Sequence, residues 1–189
     1  MWRDVASRIA LSAVIGGVLS CGNPYVLNGY RSPMGVGGQR LGLHTGIDFK
    51  AELGDVVLAA APGFVASAMY SEEVGNAVLI GHLLSEEGFA YFTVYLHLED
   101  IKVERGQEVR RGEHIGTAGS TGAASGGKVH VHFQLCTFAC LVGTRDGDFK
   151  GVEDPMKFLV GCYDARRTYD DNHRLVLSYP VQCNPEASQ

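Results

Sequence analysis

From residue 44 to residue 135, apolar residues recur at alternate positions in short runs, and glycine separates most of these runs. Past the N-terminal leader, no stretch of about ten residues carries the 3.6-residue apolar period of a helix. Alternation is the period of a strand, whose successive side chains face opposite ways. The 25 glycines supply turns between strands. Short strands at this spacing predict an all-β fold, an antiparallel β-sandwich or barrel. Residues 54–61, 64–70, 76–82 and 89–98 read as strands, the last the longest. Residues 103–116 fit two short strands and two glycine turns. Residues 22–43, rich in Gly, Pro and Asn, read as a loop-bearing lead-in. Residues 153–159 suggest one short helix with Pro155 near its start, and residues 175–177 a strand-like run.

Alternation also says where polar side chains point. In residues 89–98 one face carries Ala90, Phe92, Val94, Leu96 and Leu98, the expected core face. The other carries Phe89, Tyr91, Thr93, Tyr95 and His97, amphipathic and suited to line a groove. In residues 130–135 the split is cleaner. Val131, Phe133 and Leu135 face one way, and His130, His132 and Gln134 the other. His130 and His132 then share a face about 7 Å apart. That spacing suits one metal ligand and one histidine with a second role.

At 189 residues, with 46% hydrophobic and 20% charged content, the chain has enough apolar material for one globular domain. A net charge of −5 gives no basic footprint for nucleic acid. Residues 1–21 differ from the rest. Arg3 and Arg8 precede an uncharged, mostly apolar run from Ile9 to Ser20, too short to span a bilayer comfortably. This is the pattern of a secretory signal. Val18-Leu19-Ser20-Cys21 resembles a bacterial lipobox, making Cys21 a lipidation candidate and a membrane anchor through that lipid an expectation. The expected organisation is a signal at 1–21, a main domain at 22–160 and a C-terminal extension at 161–189.

Of five cysteines, four remain beyond Cys21: Cys136, Cys140, Cys162 and Cys183. An even number in an exported chain suggests two disulfides, with three connectivities open. The preferred reading pairs Cys136 with Cys140, closing a local turn, and Cys162 with Cys183, tying down the tail. A zinc site of these four cysteines is the weaker alternative, because the close C-x₂-C spacing is missing. The small-residue loop at 118–127 lacks the strand–loop–helix setting of a phosphate cradle and reads as a groove wall.

His44-Thr-Gly-Ile-Asp48 and His130-Val-His132 together offer imidazole and carboxylate donors for one zinc ion. Their setting resembles the lysostaphin-type (LytM-like) zinc metallopeptidases that cut peptidoglycan. The resemblance rests on His44-Thr-Gly-Ile-Asp48, Tyr95-Leu-His-Leu98, Gly119-Ser-Thr-Gly122 and His130-Val-His-Phe133, in family order. Weaker echoes lie at 29–33, 75–82 and 106–116. It covers residues 29–135, with a looser echo at Asp154-Pro155. The stretch 123–129, longer than the family pattern, and the cysteine-bearing tail depart from it.

The resemblance implies a β-sandwich-like metallopeptidase domain with one zinc per chain, held by His44, Asp48 and His132. It implies His97 and His130 as the catalytic pair, and Tyr95 is a further candidate at the oxyanion. The implied partner is peptidoglycan, through its peptide stems or cross-bridges, with the protein acting as a monomer in the periplasm or cell envelope. A non-catalytic module of the same fold that activates a wall amidase is the alternative, as is a zinc peptidase with a protein substrate. His82, His114 and His173 are expected to be structural or solvent-facing.

Overall fold

The longest strand, β8 (Phe89–Ile101), lies near the middle of one large antiparallel sheet. The computed structural model describes residues 22–36, 39–83, 89–137, 149–171 and 174–183. Cys21 and the leader, Cys140 and His173 lie outside them. In chain order the sheet also takes in β1 (Val26–Asn28), β4 (Ile47–Lys50), β5 (Val56–Leu58), β6 (Gly63–Ser71) and β7 (Gly75–Leu83). It continues with β9 (Glu108–Val109), β10 (His114–Ala118), β11 (His130–Cys136) and β12 (Val152–Glu153). The main path runs β1-β4-β11-β8-β7-β6-β9, and β10 joins β8 to β5. A separate pair, β2 (Pro33–Val36) and β3 (Gln39–Leu43), occupies much of the lead-in. The lead-in is therefore strand-bearing, and β1 extends the main sheet beside β4. Its glycines and prolines mask strands too short to show alternation.

Every residue of β11 is buried, because the sheet is covered on both faces there. Val131, Phe133 and Leu135 enter the main core with Phe49, Leu98, Ile115 and Leu177. Cys136, on the other face, joins Phe92 and Val152 in a second apolar cluster, against which Tyr30, Val94 and Phe149 pack. So the alternation expected for residues 130–135 holds.

The expectation for residues 89–98 does not. Tyr95 and Thr93 are fully buried, and Tyr95 belongs to the main core, while Phe92 and Val94 lie on the opposite, second-cluster face. The Tyr95 face is the core face. Both faces of β8 are covered, so neither polarity pattern could mark which one was inner.

The tail beyond residue 160 packs into the same core. Leu175, Leu177, Tyr179 and Val181 are core members. Leu58 N–H donates to Pro180 O and Ser178 N–H to Ala60 O. Buried Arg111 adds a tether, bonding Ala60 O, Asp171 and Val176 O. Cys162 and Cys183 form a disulfide with Cα atoms 5.9 Å apart. Cys136 is also disulfide-bonded. Between core and tail, Pro155–Lys157 is a single 3-10 turn capped by Asp154, which accepts from Met156 N–H. The short helix expected there is shortened to that turn.

Candidate metal centre

In the β4–β11 ladder Asp48 stands directly opposite His132. Opposed residues share a face, so carboxylate and imidazole meet across the strands. His44 arrives from the bend just before β4. Its N–H donates to Ser32 O, and its carbonyl accepts from Arg31 N–H. Gly46, within that bend, is backed against β11. A Cβ there would lie 2.4 Å from Phe133 O and 2.8 Å from His132 Nε2. Only glycine lets the His44 bend come this close to the strand bearing His132.

Three donor atoms result, all on buried residues. His44 Nε2 and His132 Nδ1 each lie 3.0 Å from Asp48 Oδ1 and 3.0 Å from each other. Among the described residues these three form the one His/Cys/Asp/Glu group compact enough to hold a metal ion. Tetrahedral zinc with ligands at about 2.0–2.1 Å has donor–donor edges of about 3.3 Å, so the triangle fits one face of such a site.

The protonation pattern fits as well. His44 Nδ1 lies 3.0 Å from Gly29 O, which can only accept, so His44 carries its proton there and presents a bare Nε2. That bare nitrogen faces a carboxylate oxygen 3.0 Å away. Two acceptors so close call for a cation between them. Burial opposes the charge on Asp48, but the adjoining imidazoles, His132 first and then His44, outweigh it and hold the carboxyl well below the usual carboxylate range. Asn28, opposite Asp48 on β1, donates to the second oxygen, Oδ2, at 2.9 Å. Burial, with the charge of His44, lowers the pKa of His132 against the pull of Asp48.

His130 and His97 complete a histidine cluster beside these donors. His130 Nε2 is 3.6 Å from Asp48 Oδ1. The His97 ring centroid lies 4.9 Å from that of His130 and 6.0 Å from that of His132. His130 Nδ1 donates to Lys128 O at 2.9 Å. His97 Nδ1 is 3.1 Å from both Val74 O and Thr121 O. Both rings therefore keep a proton on Nδ1 and leave Nε2 bare. Burial first, then the charges of His132 and His130, push His97 down to about 4.

His97 reaches this face through a break in β8. Between Asn76↔Leu98 and Val78↔Tyr95, two steps on β7 face three on β8. This is a β-bulge, which re-aims a side chain. His97 has φ 65, a rare conformation for a non-glycine residue. Asn76 Nδ2 donates to the carbonyls of Leu98 and Glu99, and Thr121 Oγ1 donates to Leu98 O. The Gly119–Gly122 loop presses close: a Cβ on Gly122 would lie 2.1 Å from Gly75 N. That packing brings Thr121 O to the His97 ring.

The other sequence candidates fall elsewhere. Tyr95 is fully buried on the core face. Its hydroxyl accepts from Ala60 N–H at 2.9 Å, and burial pushes its pKa up to about 12. Its place on the core face removes it from any oxyanion role. His82 is structural, bonded to Pro62 O and Thr93 Oγ1, and His114 is exposed. Sequence reading missed Asn28, Asn76 and Thr121, which act through register and loop packing. The one hint was that Asn76 and Thr121 fall inside the echoes at 75–82 and 119–122.

A model described as peptidase family M23 matches residues 42–141. The peptidoglycan DD-endopeptidase ShyA of Vibrio cholerae is 38% identical over 97 residues, 51% of this chain but 21% of that protein. The glycyl-glycine endopeptidase ALE-1 of Staphylococcus capitis is 32% identical over 152 residues, 78% of this chain and 39% of that one. The crystallised catalytic domain of lysostaphin from Staphylococcus simulans superposes with a TM-score of 0.55 at 30% identity. It covers 71% of this chain and 91% of that domain. The chain thus spans well under half the length of these curated relatives.

Proposed function

The chain belongs to peptidase family M23, and from that premise we propose that it is a zinc-dependent endopeptidase cutting peptide cross-links of bacterial peptidoglycan. The observation that carries this reading is the 3.0 Å triangle of His44 Nε2, Asp48 Oδ1 and His132 Nδ1. One zinc per chain would be held by these three side chains. Bound there, the ion supplies Lewis acidity to water and to the scissile carbonyl.

The chain's own groups handle the protons. His97 and His130 each present a bare Nε2 beside the donors, so one can take a proton from the attacking water. Once protonated at Nε2, that histidine can donate its N–H to the developing oxyanion and then return the proton to the leaving amine. Asp48, held ionised, keeps its ligand charge. Gly29 O and Asn28 fix the orientation of His44 and Asp48, as partners behind a metal ligand commonly do. A non-catalytic, amidase-activating module would not need this intact donor set with two free imidazole nitrogens beside it.

Such a substrate places the protein outside the cytoplasm, in the periplasm or cell envelope. Export through residues 1–21 and lipid attachment at Cys21 belong to the same proposal. The leader composition supports them, and no helix among the described residues is long and apolar enough to cross a membrane. The test is digestion of purified peptidoglycan, with products identified by mass spectrometry, with and without chelator. Chelator-sensitive release of shorter muropeptides is expected. Intact peptidoglycan after incubation with the zinc-loaded protein would overturn the reading.

A further inference from the structure

We infer that Arg31 anchors a carboxylate of the substrate beside the metal centre. The inference rests on the proposed cell-wall substrate, whose peptide stems carry free carboxylates. Arg31 has φ 59, one of two positive-φ non-glycine residues among those described, and the other is His97. Glycine would hold this turn without strain. An arginine kept in such a conformation points to a use for its side chain.

The backbone around Arg31 is locked to a metal ligand. Arg31 N–H donates to His44 O at 2.8 Å, and His44 N–H donates to Ser32 O at 2.9 Å. Two residues back, Gly29 O accepts from the His44 ring. The Arg31 Cα is thereby fixed next to the His44 chain.

The side chain is exposed and lies over aromatic rings. Its guanidinium carbon is 4.7 Å from the Phe149 ring centroid and 5.5 Å from that of Tyr30. Those rings meet edge to face and pack on the cluster of Phe92, Cys136 and Val152. That cluster lies on the β11 face that also carries His132 and Gln134. Arg31 therefore rests on an aromatic shelf packed against the site-bearing face of β11. It makes no ion pair or side-chain hydrogen bond among the described residues, in contrast to Arg111 and Arg166. A guanidinium held through an aromatic face keeps its N–H edges free for a carboxylate, which they can grip in bidentate fashion.

The test uses the full chain and two synthetic stem-peptide dimers. One has a free carboxylate on the residue beside the scissile bond, and the other has a carboxamide there. Wild type is expected to favour the free acid by about tenfold or more in kcat/KM, the scale of one charge-assisted pair. In Arg31→Gly, which suits the turn, and in Arg31→Gln, that ratio should fall to near one. NMR titration of both peptides into the metal-free protein should show the same preference in wild type and its loss in the variants. The binding arm needs no turnover, so failed cleavage with preserved binding preference would sink the proposed function and leave Arg31 standing. Equal handling of acid and amide by wild type, or an unchanged ratio in both variants, would overturn the inference.

Discussion

Strands β11 and β8 each deliver histidine to the same site, but by different means. In β11 the ladder is regular, His132 meets Asp48 head-on, and alternation alone puts His130 and His132 on one face. In β8 alternation would send His97 to the core side with Tyr95. An inserted residue and a positive φ turn it back to the site. Regular pairing thus suffices to build the metal donors, which need only face one another. His97, beside them, is placed by a local distortion, and that distortion needs partners. Asn76, Thr121 and the Gly119–Gly122 loop are those partners.

The largest expected effect separates donors from neighbours. His130→Ala and His97→Ala should keep zinc yet lose roughly 10²- to 10⁴-fold in kcat, the usual worth of a positioned acid or base. Steady-state assay with metal analysis checks this; a variant that turns over normally would remove that histidine from the chemistry.

A smaller effect would sharpen the contrast between the strands. Asn76→Ala takes the amide donor from Glu99 O and leaves Leu98 O to Thr121 alone, so the aim of His97 loosens. A kcat loss of about tenfold is expected, with KM and zinc affinity little changed and stability lower by about 1–3 kcal/mol. Zinc affinity falling together with kcat would show instead that the bulge supports the donors.

The smallest effect on catalysis concerns His82, on the core side of the sheet, where the change is in stability alone. Burial first holds it down to about 4, below its ordinary 6.5, against the hydrogen bond to Pro62. A depressed histidine favours the neutral folded form, so its contribution is complete above about pH 6.5 and is lost as pH falls toward 4. Unfolding free energy should drop across that window by up to about 1.4 kcal/mol per pH unit for this one proton. Denaturant titration of wild type and His82→Gln should show a shallower slope in the variant; equal slopes would mean His82 does not titrate on unfolding.

The same contrast separates what the sequence discloses from what only the fold reveals. The clustering of His44, Asp48 and His132 was legible because they sit in short motifs on, or just before, regular strands. The all-β class and the rank of β8 as the longest strand were equally readable, and the Cys162–Cys183 pairing was the preferred one among three open connectivities. The faces of residues 89–98 were not, since both are covered and the bulge shifts the period by one residue. Nor were β1 to β3 within the glycine- and proline-rich lead-in, or Asn28, whose role comes from cross-strand register with Asp48. Tyr95 misled because it sits beside a motif histidine while its ring faces the other way.

The central claim is that regular pairing of β4 and β11 builds a single zinc site with His44. It is tested most directly by zinc stoichiometry after dialysis, measured by elemental analysis on wild type, Asp48→Ala and His130→Ala, with circular dichroism to confirm the β-fold. One zinc per chain is expected in wild type and in His130→Ala, and none in Asp48→Ala with the fold retained. A folded Asp48→Ala protein with its full complement of zinc would contradict it.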